Sequence, residues 1–220
     1  MEKKKSSLIT AILIVIITAI YTVLVCIMDR EAIGPDGTVV GFAAMNGRFA
    51  DAVGVNLMWD KITDVMMALA IVTAASFAVI GLVQLIKRKK ISKVDVQVIG
   101  LAVVYIVIGI LYVAFDKIAI NYRPVIMPGE NGPEPSFPSS HVMVVCAIMC
   151  TAIVAWTKVL EDSKVFCNVL RIAAIIIVLI TIGGRVAAGV HWLTDIIAGI
   201  LYAASITAVY VAVMDRVKQG

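Results

Sequence analysis

Charged residues are scarce in this 220-residue chain: they make up 15% of it, against about 25% in an ordinary soluble domain. Hydrophobic residues make up 61%, and the mean hydropathy is +1.02. A chain of this composition has more apolar surface than one core can bury, which excludes a soluble globular domain. We therefore expect a single membrane-embedded domain over residues 1–220, with no second, soluble domain.

Cysteines and clustered acidic residues are also few. The four cysteines fall in apolar runs or on the side expected to face the cytoplasm, where disulfides are rare, so we expect them to serve packing: Cys26, Cys146, Cys150 and Cys167. Cys146 and Cys150 are one helical turn apart, but two thiols without further ligands make a poor metal site. The sequence also shows no group of carboxylates suited to Mg²⁺, and no motif in it indicates a cofactor.

The basic residues are dispersed, although the formal net charge is +4. A nucleic-acid-binding protein needs a basic face, whereas these lysines and arginines lie in short groups between apolar runs. The expected partners are therefore the lipid bilayer and a membrane lipid, not nucleic acid. The sequence does not indicate an oligomeric state.

Six apolar runs approach or reach the length of about 20 residues that a helix needs to cross a bilayer. They are residues 6–28, 65–86, 96–115, 142–157, 172–185 and 192–214. The first run is interpreted as a membrane helix and not as a signal peptide. The fourth reaches spanning length only if residues 139–141 form its first turn, and the last two require a turn near Gly189. Residues 29–60 are expected to form a loop with a turn at 34–37.

Lysine and arginine counts predict the orientation of this all-α, six-helix membrane protein. With the N-terminus in the cytoplasm, 13 of the 19 basic residues, including Lys3, Lys4 and Lys218, fall inside and 6 outside. The positive-inside rule therefore places both termini in the cytoplasm. The basic cluster at 87–90 fits this role, with binding to lipid headgroups as the alternative.

Polar residues near the predicted outer face are the candidates for function, because ionisable groups in a membrane are costly unless compensated. Residues 184–195 contain Arg185, His191 and Asp195. His191 and Asp195 are four apart, which on the sixth helix would place them on one face, with the carboxylate holding the imidazole in one tautomer. The structural alternative is an Arg185–Asp195 ion pair between two helix ends, with His191 merely at the interface.

A second polar segment, residues 135–141, comes directly before the fourth run. Ser139 or Ser140 is a natural N-cap, so free backbone N–H groups and the positive end of the helix dipole would form an anion site. His141 lies at its edge and could donate a proton to a leaving group. Taken alone, the segment is better explained by capping serines and an interfacial histidine; the presence of the other histidine at the same face reverses that preference.

A third polar segment, residues 117–124, follows the third run. Lys117 offers a point charge and Arg123 a planar fork for phosphate oxygens. The alternative is that both are snorkelling anchors at a helix end.

Together the three segments favour phosphoryl transfer in two steps. His191 would attack phosphorus to form a phosphohistidine that water later hydrolyses, and Asp195 would orient His191. His141 would protonate the leaving oxygen and then activate the water. The charge on the phosphoryl oxygens would be stabilised by a cationic set: Lys117, Arg123, Arg185 and the N–H groups near Ser139 and Ser140.

These segments resemble the type-2 phosphatidic acid phosphatase superfamily, integral-membrane lipid phosphatases whose core is related to vanadium haloperoxidases. The family pattern is Lys, six residues, Arg-Pro; then Pro-Ser-Gly-His; then Ser-Arg, five residues, His, three residues, Asp. The matching positions here are Lys117, Arg123 and Pro124; Pro138, Ser139 and His141; and Arg185, His191 and Asp195. The resemblance covers roughly residues 117–195 and the six-helix layout, and it implies a metal-independent enzyme with a catalytic core at about 94–214.

The chain departs from the family pattern at three places. Only five residues separate Lys117 from Arg123, which makes the role of Lys117 less secure than that of Arg123. Ser140 replaces the motif glycine but keeps its backbone N–H, and Gly184 replaces the motif serine, which removes one hydroxyl. Because the nucleophile, its orienting acid and the proton donor all remain, we expect an active enzyme.

The expected function is a phosphatase in the plasma membrane that acts at the outer face on a lipid phosphate or diphosphate. The resemblance implies phosphatidic acid, phosphatidylglycerol phosphate or polyprenyl diphosphate as candidate substrates. The alternatives are a lipid phosphotransferase and a non-catalytic protein that binds or transports lipid phosphates. Haem ligation by His141 and His191 is disfavoured, because both lie near helix starts beside cationic residues.

Overall fold

The computed structural model describes residues 2–217, with side chains from residue 5 onward, so Lys218 and the side chains of Lys3 and Lys4 lie outside the described part. It contains seven α-helices: α1 Glu2–Ile27, α2 Ala43–Val53, α3 Leu57–Arg88, α4 Val96–Lys117, α5 Ser140–Val159, α6 Lys164–Ala188 and α7 Leu193–Val217. All except α2 are long and apolar enough to cross a bilayer. The predicted all-α fold with six membrane helices is confirmed.

Helix α5 is the centre of the bundle. In its most apolar stretch 67% of the residues are buried, against 44% for α7 and 22% or less for the other four long helices. It packs against α3, α4, α6 and α7, while α1 packs along α7. The other helices therefore expose apolar side chains such as Ile71, Ile106 and Leu179, as expected of surfaces that face lipid.

The chain reverses between α6 and α7 at Gly189, as the sequence predicts. Gly189 has φ +63°, a left-handed conformation typical of the residue that ends a helix. A Cβ atom there would also collide with the carbonyl oxygen of Gly54, so only glycine fits. Beside it, the N–H of Asn56 donates to the carbonyl of Ala188 (2.9 Å), which fastens the start of α3 to the end of α6.

The prediction that residues 29–60 form a loop is only partly correct. The turn at 34–37 is present as a 3₁₀ turn, Pro35–Gly37. Residues 43–53, however, form α2, and α3 begins at Leu57, about two turns before the apolar run that predicts it. Asn56 caps α3, since its side chain accepts from the N–H groups of Met58 and Trp59.

Gly189→Ala should lower the free energy of unfolding by about 2 kcal/mol or more. Alanine is strained in the left-handed backbone conformation of this position, and its Cβ would also collide with the carbonyl oxygen of Gly54. The measurement is the apparent melting temperature in detergent. Gly183→Ala is the matched control, since a Cβ at that position on α6 meets no atom within 4 Å. Equal melting temperatures for the two variants would contradict this account of the turn.

Candidate active site

The three polar segments meet at one end of the bundle, where α4 and α6 end and α3, α5 and α7 begin. Arg185 lies in the last turn of α6, and His141 lies in the first turn of α5. His191 lies between α6 and α7, and Arg123 lies in the connection between α4 and α5. Helix packing thus gathers residues that are far apart in the chain.

His191 and Asp195 face each other, although not from one helix as predicted. His191 precedes α7, which begins at Leu193, and its Nδ1 lies 3.7 Å from Oδ2 of Asp195. The same oxygen accepts the backbone N–H of Trp192 (3.2 Å), the helix-start contact in which a third-position acid binds the capping residue. Asn121 donates to the other oxygen, Oδ1, at 3.0 Å. Asp195 is therefore held rigidly beside the imidazole.

The His191 ring is buried, with 2% of its surface exposed; its nitrogens make no well-formed hydrogen bond among the described residues, although the backbone of Ser136 lies close to the ring. Burial, followed by the nearby charges of Arg185 and Arg123, holds the pKa of His191 well below its usual 6.5. The imidazole is consequently neutral at pH 7. A neutral ring nitrogen without a partner has the lone pair that a nucleophile needs.

Arg185 is fully buried and its charge is balanced from α3. Its Nη1 forms an ion pair with Asp60 and donates to Oγ1 of Thr63 (3.1 Å). The alternative of an Arg185–Asp195 ion pair is therefore wrong: the structure gives Arg185 a different carboxylate. Its Nε and Nη2 have no hydrogen-bond partner within residues 5–217. Because an unsatisfied buried donor costs about 1–3 kcal/mol, these groups favour an anionic ligand.

Arg123 adds a second guanidinium. Its Nε lies 3.2 Å from Oε2 of Glu134, and its buried Nη1 has no hydrogen-bond partner in the part of the chain that the structure describes. A polar cavity of about 110 Å³ lies beside it and is lined by both Arg123 and His191. Its walls also include Ser136, Phe137 and Ser140. The cavity thus brings a second guanidinium and the neutral imidazole to the same small space.

The start of α5 is only partly as predicted. Ser139 holds the N-cap position but its side chain makes no capping hydrogen bond. Its backbone N–H donates to the carbonyl of Asp195 (2.9 Å), which ties α5 to α7 beside His191. His141 Nε2 donates to Oδ1 of Asp64 (2.9 Å), so the second histidine also faces a carboxylate.

Lys117 does not join this arrangement. It is the last residue of α4, and its side chain is 76% exposed and paired with its neighbour Asp116 (Nζ–Oδ2 2.8 Å). It does not line the cavity that contains Arg123 and His191. The snorkelling anchor, which was the alternative for this residue, describes its position better.

Sequence reasoning missed the residues of α3 and the connecting loops that complete the site. The missed residues are Asp60, Thr63, Asp64 and Asn121. The sequence did contain a signal for the residues of α3: three polar residues, at positions 60, 63 and 64, come just before an apolar run. Their spacing would place them on one face of a helix. Among the described residues, no three His, Cys, Asp or Glu side chains are grouped to hold a metal ion.

Thr63 also explains the glycine in place of the motif serine. A Cβ at Gly184 would lie 2.7 Å from Cγ2 of Thr63 and 3.4 Å from Cε3 of Trp59. The threonine therefore occupies the space that a side chain at 184 would need, and its hydroxyl is bonded to Arg185. Helix α3 thus supplies a hydroxyl beside this arginine.

Gly184→Ala should lower the melting temperature and the affinity for phosphate, because Thr63 and α3 must move away from Arg185. Adding Thr63→Ser removes Cγ2 and keeps the hydroxyl, so the double variant should recover most of both losses. Additive losses in the double variant would show that Thr63 does not determine the residue at 184.

Comparisons with known proteins identify a family and a similar fold. The family model of the PAP2 superfamily matches residues 97–219 of this sequence, and this stretch contains all three polar segments. The chain is also similar to the crystal structure of the first transmembrane PAP2-type phosphatidylglycerolphosphate phosphatase from Bacillus subtilis. The two are 18% identical, with a TM-score of 0.61, over 96% of this chain and 98% of the other, so they share a fold. A search of the curated proteins finds no match.

Proposed function

The chain belongs to the PAP2 superfamily, and we propose that it is a membrane phosphatase that hydrolyses a lipid phosphomonoester or diphosphate. The observation that carries the proposal is the pair of buried guanidinium groups with unpaired donors near a buried histidine of lowered pKa. Guanidinium groups bind phosphate through charge-assisted hydrogen bonds, and a neutral imidazole can attack phosphorus.

The first step would transfer the phosphoryl group to the enzyme. Nε2 of His191 attacks phosphorus, the bond from phosphorus to the leaving oxygen breaks, and His141 gives that oxygen a proton. Asp195 stabilises the positive charge that develops on the attacking ring. Arg123, Arg185 and the N-terminus of α5 stabilise the phosphoryl oxygens.

The second step would release phosphate. Water attacks the phosphohistidine, His141 takes the proton from the water, and the P–N bond breaks to restore neutral His191. Both histidines then hold the protons with which they began. The cycle uses side chains of this chain alone for nucleophilic and acid–base catalysis.

The proposed substrate is a lipid, because the site lies at one end of a bundle whose sides are apolar. The similar Bacillus structure is a phosphatidylglycerolphosphate phosphatase, which makes that lipid the first to test, with phosphatidic acid and polyprenyl diphosphate beside it. The distribution of lysine and arginine supports an outward-facing site in the plasma membrane.

Replacement of His191 tests the proposal directly. The wild-type protein in detergent should release inorganic phosphate from at least one of the three lipids, with EDTA present. His191→Ala and the closer mimic His191→Gln should each lower the rate by at least about a thousandfold. The control is Asn131→Ala, at an exposed loop position. Activity that survives in both His191 variants would exclude this residue as the nucleophile.

The lowered pKa of His191 predicts the pH dependence of phosphoenzyme formation. As the pH falls through 6.5, an ordinary histidine takes up a proton and loses its nucleophilic lone pair, whereas buried His191 stays neutral. The rate with 4-nitrophenyl phosphate, whose leaving group needs no proton, should therefore stay level from pH 7 to about 6 and fall only at lower pH. Rapid-quench measurements would follow it, and an acid limb centred at or above pH 6.5 would contradict the proposed role.

A further inference from the structure

Helix α3 carries three polar residues toward the site, outside the segment that matches the family model. Asp60 pairs with Arg185, Thr63 accepts a hydrogen bond from the same arginine, and Asp64 binds His141. Their spacing at 60, 63 and 64 places them on one face of the helix, toward α5 and α6. Of these three residues, only Asp64 contacts the proposed acid–base residue, His141.

We propose that Asp64 is a positioning residue for proton transfer: it holds the Nε2–H of His141, so that Nδ1 is the nitrogen that exchanges protons with the substrate. The inference rests on the proposed phosphatase function. It assigns a role to a residue that lies beyond residues 97–219.

The geometry supports this division between the two ring nitrogens. His141 Nε2 and Asp64 Oδ1 are 2.9 Å apart, a normal length for a charge-assisted hydrogen bond. Nδ1 of His141 is buried and has no hydrogen-bond partner among the described residues. One nitrogen is thus occupied and the other is available, as in the arrangement in which a carboxylate orients a catalytic histidine.

The charges around His141 show why a carboxylate is needed there. The charged groups near His141 are the guanidinium of Arg185 on α6 and the carboxylates of Asp60 and Asp64 on α3. Asp60 is already paired with Arg185, which leaves Asp64 as the carboxylate in direct contact. Asp64 therefore offsets the cationic site that the phosphate requires.

The proton balance closes without any proton from Asp64. In the first step Nδ1–H of His141 gives its proton to the leaving oxygen as the P–O bond breaks and the bond from phosphorus to His191 forms. In the second step Nδ1 recovers a proton from the attacking water as the P–N bond breaks. Asp64 accepts the Nε2–H in both steps and forms no bond to the substrate.

The test compares each variant with wild type on two esters whose leaving groups differ in their need for a proton donor. The leaving group of an alkyl phosphate, such as phosphatidic acid, is a strongly basic alkoxide. The leaving group of 4-nitrophenyl phosphate is a stable phenolate, which needs no proton. The measured quantity is kcat/KM, which reports events up to the first irreversible step and so excludes hydrolysis of the phosphoenzyme. The variants are Asp64→Asn, His141→Ala and, as a matched control, Asp51→Asn at an exposed position on α2.

Asp64→Asn should lower kcat/KM for the alkyl phosphate by about 10- to 100-fold and that for the aryl phosphate by less than about threefold. His141→Ala should show the same selectivity with a larger loss, Asp64→Glu should restore part of the alkyl rate, and Asp51→Asn should resemble wild type. Melting temperatures check that each variant is folded.

Two results would overturn the inference while leaving the proposed function intact. Equal losses on both esters would mean that Asp64 only supports the fold, and no loss on either would make the contact a surface ion pair of little value. If the wild-type protein released phosphate from neither ester nor from the lipid panel, the proposed function would fail and this inference with it.

Discussion

A buried positive charge is the constraint on which this end of the protein depends. Arg185 is fully buried in a chain that is 61% hydrophobic, and its charge must be balanced within the bundle. Asp60, which is partly exposed, supplies the balancing carboxylate, and its removal would leave the buried charge without a partner. To bring Asp60 to Arg185, α3 must begin at Leu57 and stand against the end of α6. The contact between Asn56 and Ala188 fixes it there.

The charge of Arg185 is balanced, but several guanidinium donors of the site are left without hydrogen-bond partners among the described residues. Only Nη1 of Arg185 is engaged by α3, and its Nε and Nη2, with Nη1 of Arg123, remain without partners within the described residues. Donors that are already in place, and desolvated, stabilise a developing negative charge without the reorganisation that water would require. Burial and the same cations lower the pKa of His191, so one arrangement favours both anion binding and a neutral imidazole.

Each histidine faces a carboxylate from a different helix. Asp195 of α7 lies beside His191, and Asp64 of α3 is bonded to His141. The environments differ in a way that suits different tasks: the His191 ring is 2% exposed, whereas the side chain of His141 is 17% exposed and its partner 59% exposed. A buried neutral ring suits attack on phosphorus, and a ring whose Nε2 is bonded to a carboxylate and whose Nδ1 is unpaired among the described residues suits proton transfer.

Local patterns predicted the features that depend on neighbours in the chain. The six spans follow from apolar runs, and the reversal at Gly189 follows from the length of the last stretch and its glycine. The start of α3 was missed because Asp60 and Asp64 lower the hydropathy of its first two turns, so the apolar run begins only at residue 65. His191 was placed on α7 because a spacing of four suits a helix. Asp195, however, accepts the N–H of Trp192 at the start of the helix, so α7 begins at Leu193, two residues after His191.

By itself the sequence determined that the chain spans the membrane and that its polar segments gather at one end, since composition and run length need no knowledge of packing. Only the tertiary structure decided the partners. Asp60 and Arg185 are 125 residues apart, and Asp64 and His141 are 77 apart. Apolar helix surfaces are not directional, so many rotations of α3 satisfy the same pattern. Two constraints select one rotation of α3: Thr63 packs closely against Gly184, and Arg185 would otherwise be left as an unpaired buried charge.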